Sequence, residues 1–173
     1  VPYIGKKLTG FLKDYRHMAT FGFMIEDSGS GMVMDLPFVG PSVFYQLSKQ
    51  DIEKVKKGTL FLARVFLEGG AQKVYTLLHG HTEIDSESDL KRLENAKIRA
   101  SDIECMAFHP LGTCRMGRSS EFGVVDQNHE VFGHKGVYVC DGSVIPSSLG
   151  VNPQVTIMAF ATRLANLILG KLS

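Results

Sequence analysis

His109-Pro-Leu-Gly-Thr-Cys-Arg-Met-Gly117, followed by Cys140-Asp-Gly-Ser143 and Val151-Asn-Pro153, decides how this chain is read. His109 before Pro110 is biased toward extended backbone, and Gly112 then permits a sharp turn. A histidine held beside such a turn suits a general base, because its ordinary pKa lies near neutrality. Asp141-Gly142-Ser143 follows the apolar run Val137 to Cys140. A strand ending in Asp-Gly can turn backbone N–H groups toward a phosphate or a ribityl chain. Asn152 and Pro153 stand directly ahead of an apolar helix expected from Pro153 to Leu169, with Asn152 as N-cap, Pro153 at N1 and Gly170 at C′. The start of that helix presents free N–H groups with about half a unit of positive charge, which favours an anion or an electron-rich ring. Taken singly, each element has a plain structural alternative: a packed histidine, a helix cap, a strand-terminating turn.

Working outward, Ala19–Ile25 reads as a strand, Glu26-Asp-Ser-Gly-Ser-Gly31 as a turn cluster and Met32–Met34 as the returning strand of a hairpin. Pro41–Leu47 is a third candidate strand. Ser48 with Asp51 opens a helix carrying Ile52, Val55, Leu60, Leu62, Val65 and Phe66, which stops at Gly69-Gly70. Gly58 in its middle marks a point where it can break. Lys73–Leu78 is a further strand, and Asp85 or Ser86 caps a polar helix to about Arg99. After residue 104 glycine, short strands and turns dominate, including Gly123–Asp126 and Gly136–Cys140. The expected class is therefore α+β: an antiparallel sheet with packed helices over 1–104, then a strand–helix segment over 105–173.

Bulk properties narrow the function. The chain has 173 residues, 44% hydrophobic and 21% charged, with a net charge of +1. That balance gives no broad basic face for nucleic acid or anionic lipid. No apolar run reaches a membrane span and no signal peptide opens the chain. The first residue is valine, which suggests a piece of a longer protein. Cys105, Cys114 and Cys140 are odd in number and lack CxxC spacing, so a disulfide framework or structural zinc is not expected. They read as mostly buried thiols in a reducing, cytoplasmic setting. His79-Gly-His81 has no third ligand spaced to match and reads as a solvated loop, and His129 and His134 read as exposed. No G-x-G-x-x-G or Walker sequence is present, so the chain carries no phosphate cradle of its own.

Together these tracts resemble the C-terminal region of the glucose–methanol–choline (GMC) family of flavin oxidoreductases. HPLGTCRMG, GVVD, GVYVCDGSVIP and GVNPQVTI occur in the family's order and spacing, and residues 19–75 are similar to its substrate domain. In detail the chain is most similar to the long-chain alcohol oxidase and cholesterol oxidase branch, in which HPLG and GVNP pair a histidine with an asparagine. The resemblance implies a substrate-domain portion over 1–104 and, over 105–173, the strand–helix return that completes the active site and a Rossmann-like FAD domain. It implies that His109 takes the proton of a substrate hydroxyl, with Asn152 as its partner. Asp141, Gly142, Asn152 and Pro153 would line FAD. The expected substrate is a small-molecule alcohol that is bulky, long-chain or a sterol, and Phe and Met residues between 11 and 66 are candidates for its pocket wall. The family's N-terminal βαβ unit lies outside this sequence, so the isolated chain is expected to bind FAD weakly and not to turn over. A non-catalytic substrate-binding module, or a degenerate family member, is the alternative.

Overall fold

In the computed structural model, which describes residues 3–170, the chain divides into two compact units. One contains the chain up to Ile25 together with Lys49–Cys105, and the other contains Glu26–Ser48 together with the chain from Met106 onward. The sequence division at 104/105 had kept residues 26–48 with the first part. The chain contacts group them with the last part instead. The architecture is α+β, with four helices and two separate two-stranded antiparallel sheets among the described residues.

The first unit is organised by α2, Lys49–Glu68. Leu60 and Ala63 on its inner face close over Leu78, Ile84, Leu90 and Leu93, all buried. The helix is unbroken at Gly58, and the reason is packing. A Cβ there would come within 2.7 Å of Phe23 Cδ2 and Cζ, so the missing side chain is the seat for that ring. Phe21 likewise packs on Phe66, with ring centroids 4.7 Å apart. The expected strand Ala19–Ile25 is thus an unpaired segment whose aromatic residues pack on α2 instead of joining a sheet.

The strand expected over Lys73–Leu78 shrinks to β3, Val74–Tyr75, paired antiparallel with β4, Glu83–Ile84. The polar helix α3 covers Glu87–Asn95, and Ser86 caps it by accepting from the Asp89 amide. It stops four residues short of Arg99 because Ala96 turns extended, with the buried Lys56 ammonium donating to its carbonyl at 2.7 Å.

A helix that the sequence reading did not assign, α1 (Gly5–Asp14), is tied into this unit through one carboxylate. Glu83 accepts from Tyr3 Oη, pairs with Lys7 Nζ at 2.6 Å and with Lys73 Nζ at 2.8 Å. Tyr3, Phe11 and Tyr75 meet edge to face beside it, with centroids 5.0–6.2 Å apart. The hydrogen bonds from Lys7, Lys73 and Tyr3 hold the Glu83 carboxyl down at about 2. Burial and the same carboxylate push the Tyr3 phenol up to about 12. A depressed carboxyl stabilises the fold above its ordinary range near 4.5, and the contribution is lost as pH falls toward 2. Thermal melts between pH 5 and 2 should therefore show a slope that Glu83→Gln flattens, with a difference on the order of 1–2 kcal/mol. Superimposable pH profiles would count against the cluster.

In the second unit, β1 (Ser30–Leu36) and β2 (Gly40–Gln46) form a hairpin in the register Ser30↔Gln46 to Leu36↔Gly40. The turn is therefore Pro37-Phe38-Val39 and not the Gly/Ser cluster at 26–31. Phe38 takes φ +67 and Gly40 φ +81, the left-handed geometry that closes a three-residue loop. Gly29 and Gly31 serve close strand approach instead: a Cβ on Gly29 would lie 2.5 Å from the Gln46 carbonyl, and one on Gly31 would run into that of Phe44. The core of this unit is Val125, Val144 and Ile145, flanked by Leu111, Met116, Ile157 and Phe160. The expected strands 123–126 and 136–140 appear only as single bridges, Met116↔Val125, Val125↔Val131 and Glu130↔Tyr138.

Candidate functional site

The tract His109–Gly117 is held by backbone hydrogen bonds along its second half. Cys114 N donates to Ser143 O at 3.1 Å, Met116 N to Val144 O at 2.9 Å, and Gly117 N to Val125 O at 2.9 Å. Gly112 takes φ +85, the turn that its position after His109-Pro-Leu requires. Asp141 caps the 3₁₀ turn Gly142–Val144: its Oδ1 accepts from the Ser143 amide at 2.8 Å and from the Ser143 hydroxyl. Those two bonds, the hydroxyl first, lower the Asp141 carboxyl below its ordinary value. The carboxylate is spent on its own turn, which leaves the backbone of the turn in a fixed shape.

Gly142 is where the tracts meet. A Cβ on it would lie 3.1 Å from Leu111 Cδ2, 3.2 Å from Ile157 Cδ1 and 3.5 Å from the Pro110 carbonyl. The residues after His109, the Asp-Gly turn and the first turn of the terminal helix thus converge on a point with room for a hydrogen and little more.

That helix, α4, runs Gln154–Ile168, with Gly170 at φ +66 beyond its end. Its N-cap is Pro153, not Asn152 as expected, and no side chain caps it. Pro153 is buried and its carbonyl takes the Ile157 amide at 2.8 Å. Asn152 lies one residue outside the helix and is exposed. Since proline brings no side-chain acceptor, the N–H groups of Gln154, Val155 and Thr156 start the helix without one. His109 and Asp141 are exposed as well. Among the described residues neither the His109 ring nor the Asn152 amide makes a hydrogen bond or ion pair within the chain. Both are free to face a ligand.

Three expectations about other residues change. Cys105 and Cys140 are exposed and Cys114 half-buried, so they are not the buried set anticipated. His81 is half-buried with its Nδ1 enclosed and unpartnered, and burial lowers its pKa. His129, expected at the surface, is fully buried. The signal for it was local: Asp126 bonds the amides of Asn128 and Glu130, a tight turn that forces the residue between them inward with φ +69.

The family model for GMC oxidoreductase matches residues 37–161. The chain belongs to that family. A long-chain-alcohol oxidase of Arabidopsis thaliana is 30% identical over 91% of this chain and 22% of its own length. Over 63 residues, 36% of this chain and 11% of the other, a cholesterol oxidase of Acinetobacter baumannii is 46% identical. A solved structure of the formate oxidase of Aspergillus oryzae, determined for the effect of a mutation on FAD modification, superposes with a TM-score of 0.54 at 25% identity, covering 82% of this chain and 25% of that one. The chain spans 21–31% of the length of the relatives that it matches along most of its own. Among the described residues no helix is long and apolar enough to cross a membrane.

Proposed function

We propose that this chain is the C-terminal, site-completing part of an FAD-dependent enzyme that oxidises the CH–OH group of a bulky or long-chain alcohol or a sterol. The observation that carries the reading is the convergence on Gly142 of the His109 tract, the Asp141 turn and α4. An uncapped helix start beside a glycine-lined backbone suits an electron-rich, partly anionic group, so the residues present fit FAD. Backbone at Asp141–Gly142 and at Asn152–Pro153 would hold it, and FAD when bound would supply the hydride acceptor. The rest of its cradle would come from the N-terminal part of the same protein. Residues 1–104 would contribute to the substrate domain.

His109 takes the proton from the substrate hydroxyl at a ring nitrogen as the carbon–hydrogen bond is broken. Asn152 orients the substrate oxygen through its amide. The free N–H groups of Gln154, Val155 and Thr156 favour negative charge at that end of the site, where it builds up during the reaction. The setting would be reducing and cytoplasmic, and the long-chain-alcohol oxidase and cholesterol oxidase relatives support the substrate class.

The test is anaerobic mixing of the complete enzyme with primary alcohols of rising chain length and with cholesterol, followed by flavin absorbance. Bleaching that grows faster with chain length, or with the sterol, is expected. An enzyme that none of these alcohols reduces is not an alcohol oxidoreductase of this kind. The 173-residue chain alone should purify colourless; a flavin spectrum on it would show that the cradle is already complete here.

A further inference from the structure

His129 is the least explained polar side chain in the second unit. It has no exposed surface, its backbone sits at φ +69, and its Nε2 is enclosed with no hydrogen-bond partner. A buried imidazole held in left-handed backbone combines two costs that a glycine at the same place would avoid. What accompanies those costs is a set of contacts. The His129 carbonyl accepts from the Val139 amide at 3.0 Å, and Nδ1 lies 3.0 Å from the Val139 carbonyl. A carbonyl can only accept, so Nδ1 carries the hydrogen. One residue thus holds both backbone polar groups of Val139, two positions before Asp141.

The ring also reaches α4. Its edge meets the Phe160 ring with centroids 5.6 Å apart, and the same turn is fastened a second time where Arg163 donates to the Gln127 carbonyl. Asp126 stiffens the turn from within through its bonds to the Asn128 and Glu130 amides. His129 is therefore the point at which a rigid turn, the strand-like run into Asp141–Gly142, and the helix that begins beside Asn152 and Pro153 are locked to one another.

We propose that His129 is a positioning residue: it sets the path of Val139–Gly142 against α4, and so the spacing between the Asp141 turn and the start of that helix. Its bearing on flavin rests on the functional reading given above, but the clamp itself does not. It touches none of the reacting groups and acts only through Val139 and Phe160.

Three substitutions separate the possibilities. His129→Asn accepts positive φ and offers an amide N–H near the position of Nδ1, so it keeps the bond to the Val139 carbonyl while losing the ring contact with Phe160. His129→Gly relieves the backbone and loses the bond to the Val139 carbonyl and the Phe160 contact, keeping only the backbone bond from the Val139 amide. His129→Ala loses the same two side-chain contacts and keeps the strain. Amide hydrogen exchange on the 173-residue chain should show Val139 and Ser143 exchanging at least tenfold faster in the Ala and Gly variants and near the parent rate in Asn. The amides of Gly117 and Val124, bonded elsewhere in the same unit, report whether the fold survives. Exchange at Val139 unchanged in the Gly variant, or equally fast in Asn and Gly, overturns the proposal. In the complete enzyme, FAD release should quicken about tenfold for Ala and Gly and return toward the parent rate for Asn. FAD release that ignores all three substitutions, while exchange responds, overturns the flavin-positioning role. A complete enzyme that binds no FAD fails the functional reading instead, and the exchange experiment then decides the clamp alone.

Discussion

Replacing His109 by alanine in the complete enzyme should slow reduction of the flavin by alcohol on the order of 10²–10⁴-fold, the usual contribution of a positioned general base. The fold should be almost untouched. The ring is exposed and makes no hydrogen bond among the described residues, so the unfolding free energy is expected within about 0.5 kcal/mol of the parent. That separation is what makes the experiment decisive: a large rate loss with unchanged stability and unchanged FAD content assigns the loss to chemistry. Stopped-flow reduction at saturating alcohol measures it. Near-parent rates in the alanine variant would remove His109 from the mechanism and leave its tract a structural one.

The second large effect is expected at Gly117 and Gly123, and it concerns folding. A Cβ on Gly123 would sit 2.5 Å from the Gly117 nitrogen and 2.6 Å from the Arg115 carbonyl; one on Gly117 would sit 2.6 Å from the Gly123 nitrogen. The atoms in the way are backbone, so no side-chain rotation clears them. Backing off would break Gly117 N to Val125 O and Val124 N to Arg115 O, bonds of 2.9 and 2.8 Å that anchor the end of the His109 tract. Gly123→Ala should therefore cost about 3–5 kcal/mol, at the far end of the range for single substitutions and a large share of the stability of a domain this size. Gly133→Ala is the control: its φ of +78 makes alanine strained, but the space around it is open, and about 1–2 kcal/mol is expected. Urea midpoints for the two variants give the comparison. Equal losses at the two positions would mean that the close approach of the two backbones is not the determinant.

The tracts of the candidate site were easier to read in the sequence than the frame around them, for a physical reason. His109, Asp141, Gly142, Asn152 and Pro153 sit in short tracts whose chemistry is local, and their joint order pointed to one family before any geometry was known. The helices followed from periodicity and punctuation: α2 ended at its glycine pair, α3 began at Ser86, and α4 ended ahead of Gly170. What escaped depended on contacts made far along the chain. Gly58 looks like a break until Phe23 is seen filling its place, and Gly29 and Gly31 look like a turn until the opposing carbonyls of Gln46 and Phe44 appear. The cap at α4 moved from Asn152 to Pro153 because a buried proline already fixes the turn, which frees the asparagine. His129 was misjudged because polar neighbours suggest a surface loop, whereas the Asp126 turn swings its ring under α4. α1 was missed because its binding force is a carboxylate at residue 83 that its own sequence cannot announce.

The division into two units has a further consequence for how the protein is made. The polypeptide passes between the units three times, after Ile25, after Ser48 and after Cys105. As the ribosome releases the chain from its N-terminal end, the first unit is complete once Cys105 has emerged. The β1–β2 hairpin emerges early, yet the rest of its unit begins only at Met106. At synthesis rates of about 5–20 residues per second, the hairpin waits several seconds for the rest of its unit, on the order of the time needed to make the intervening stretch. Slowing translation across residues 49–105 should lower soluble yield, whereas slowing it before Ser30 should not.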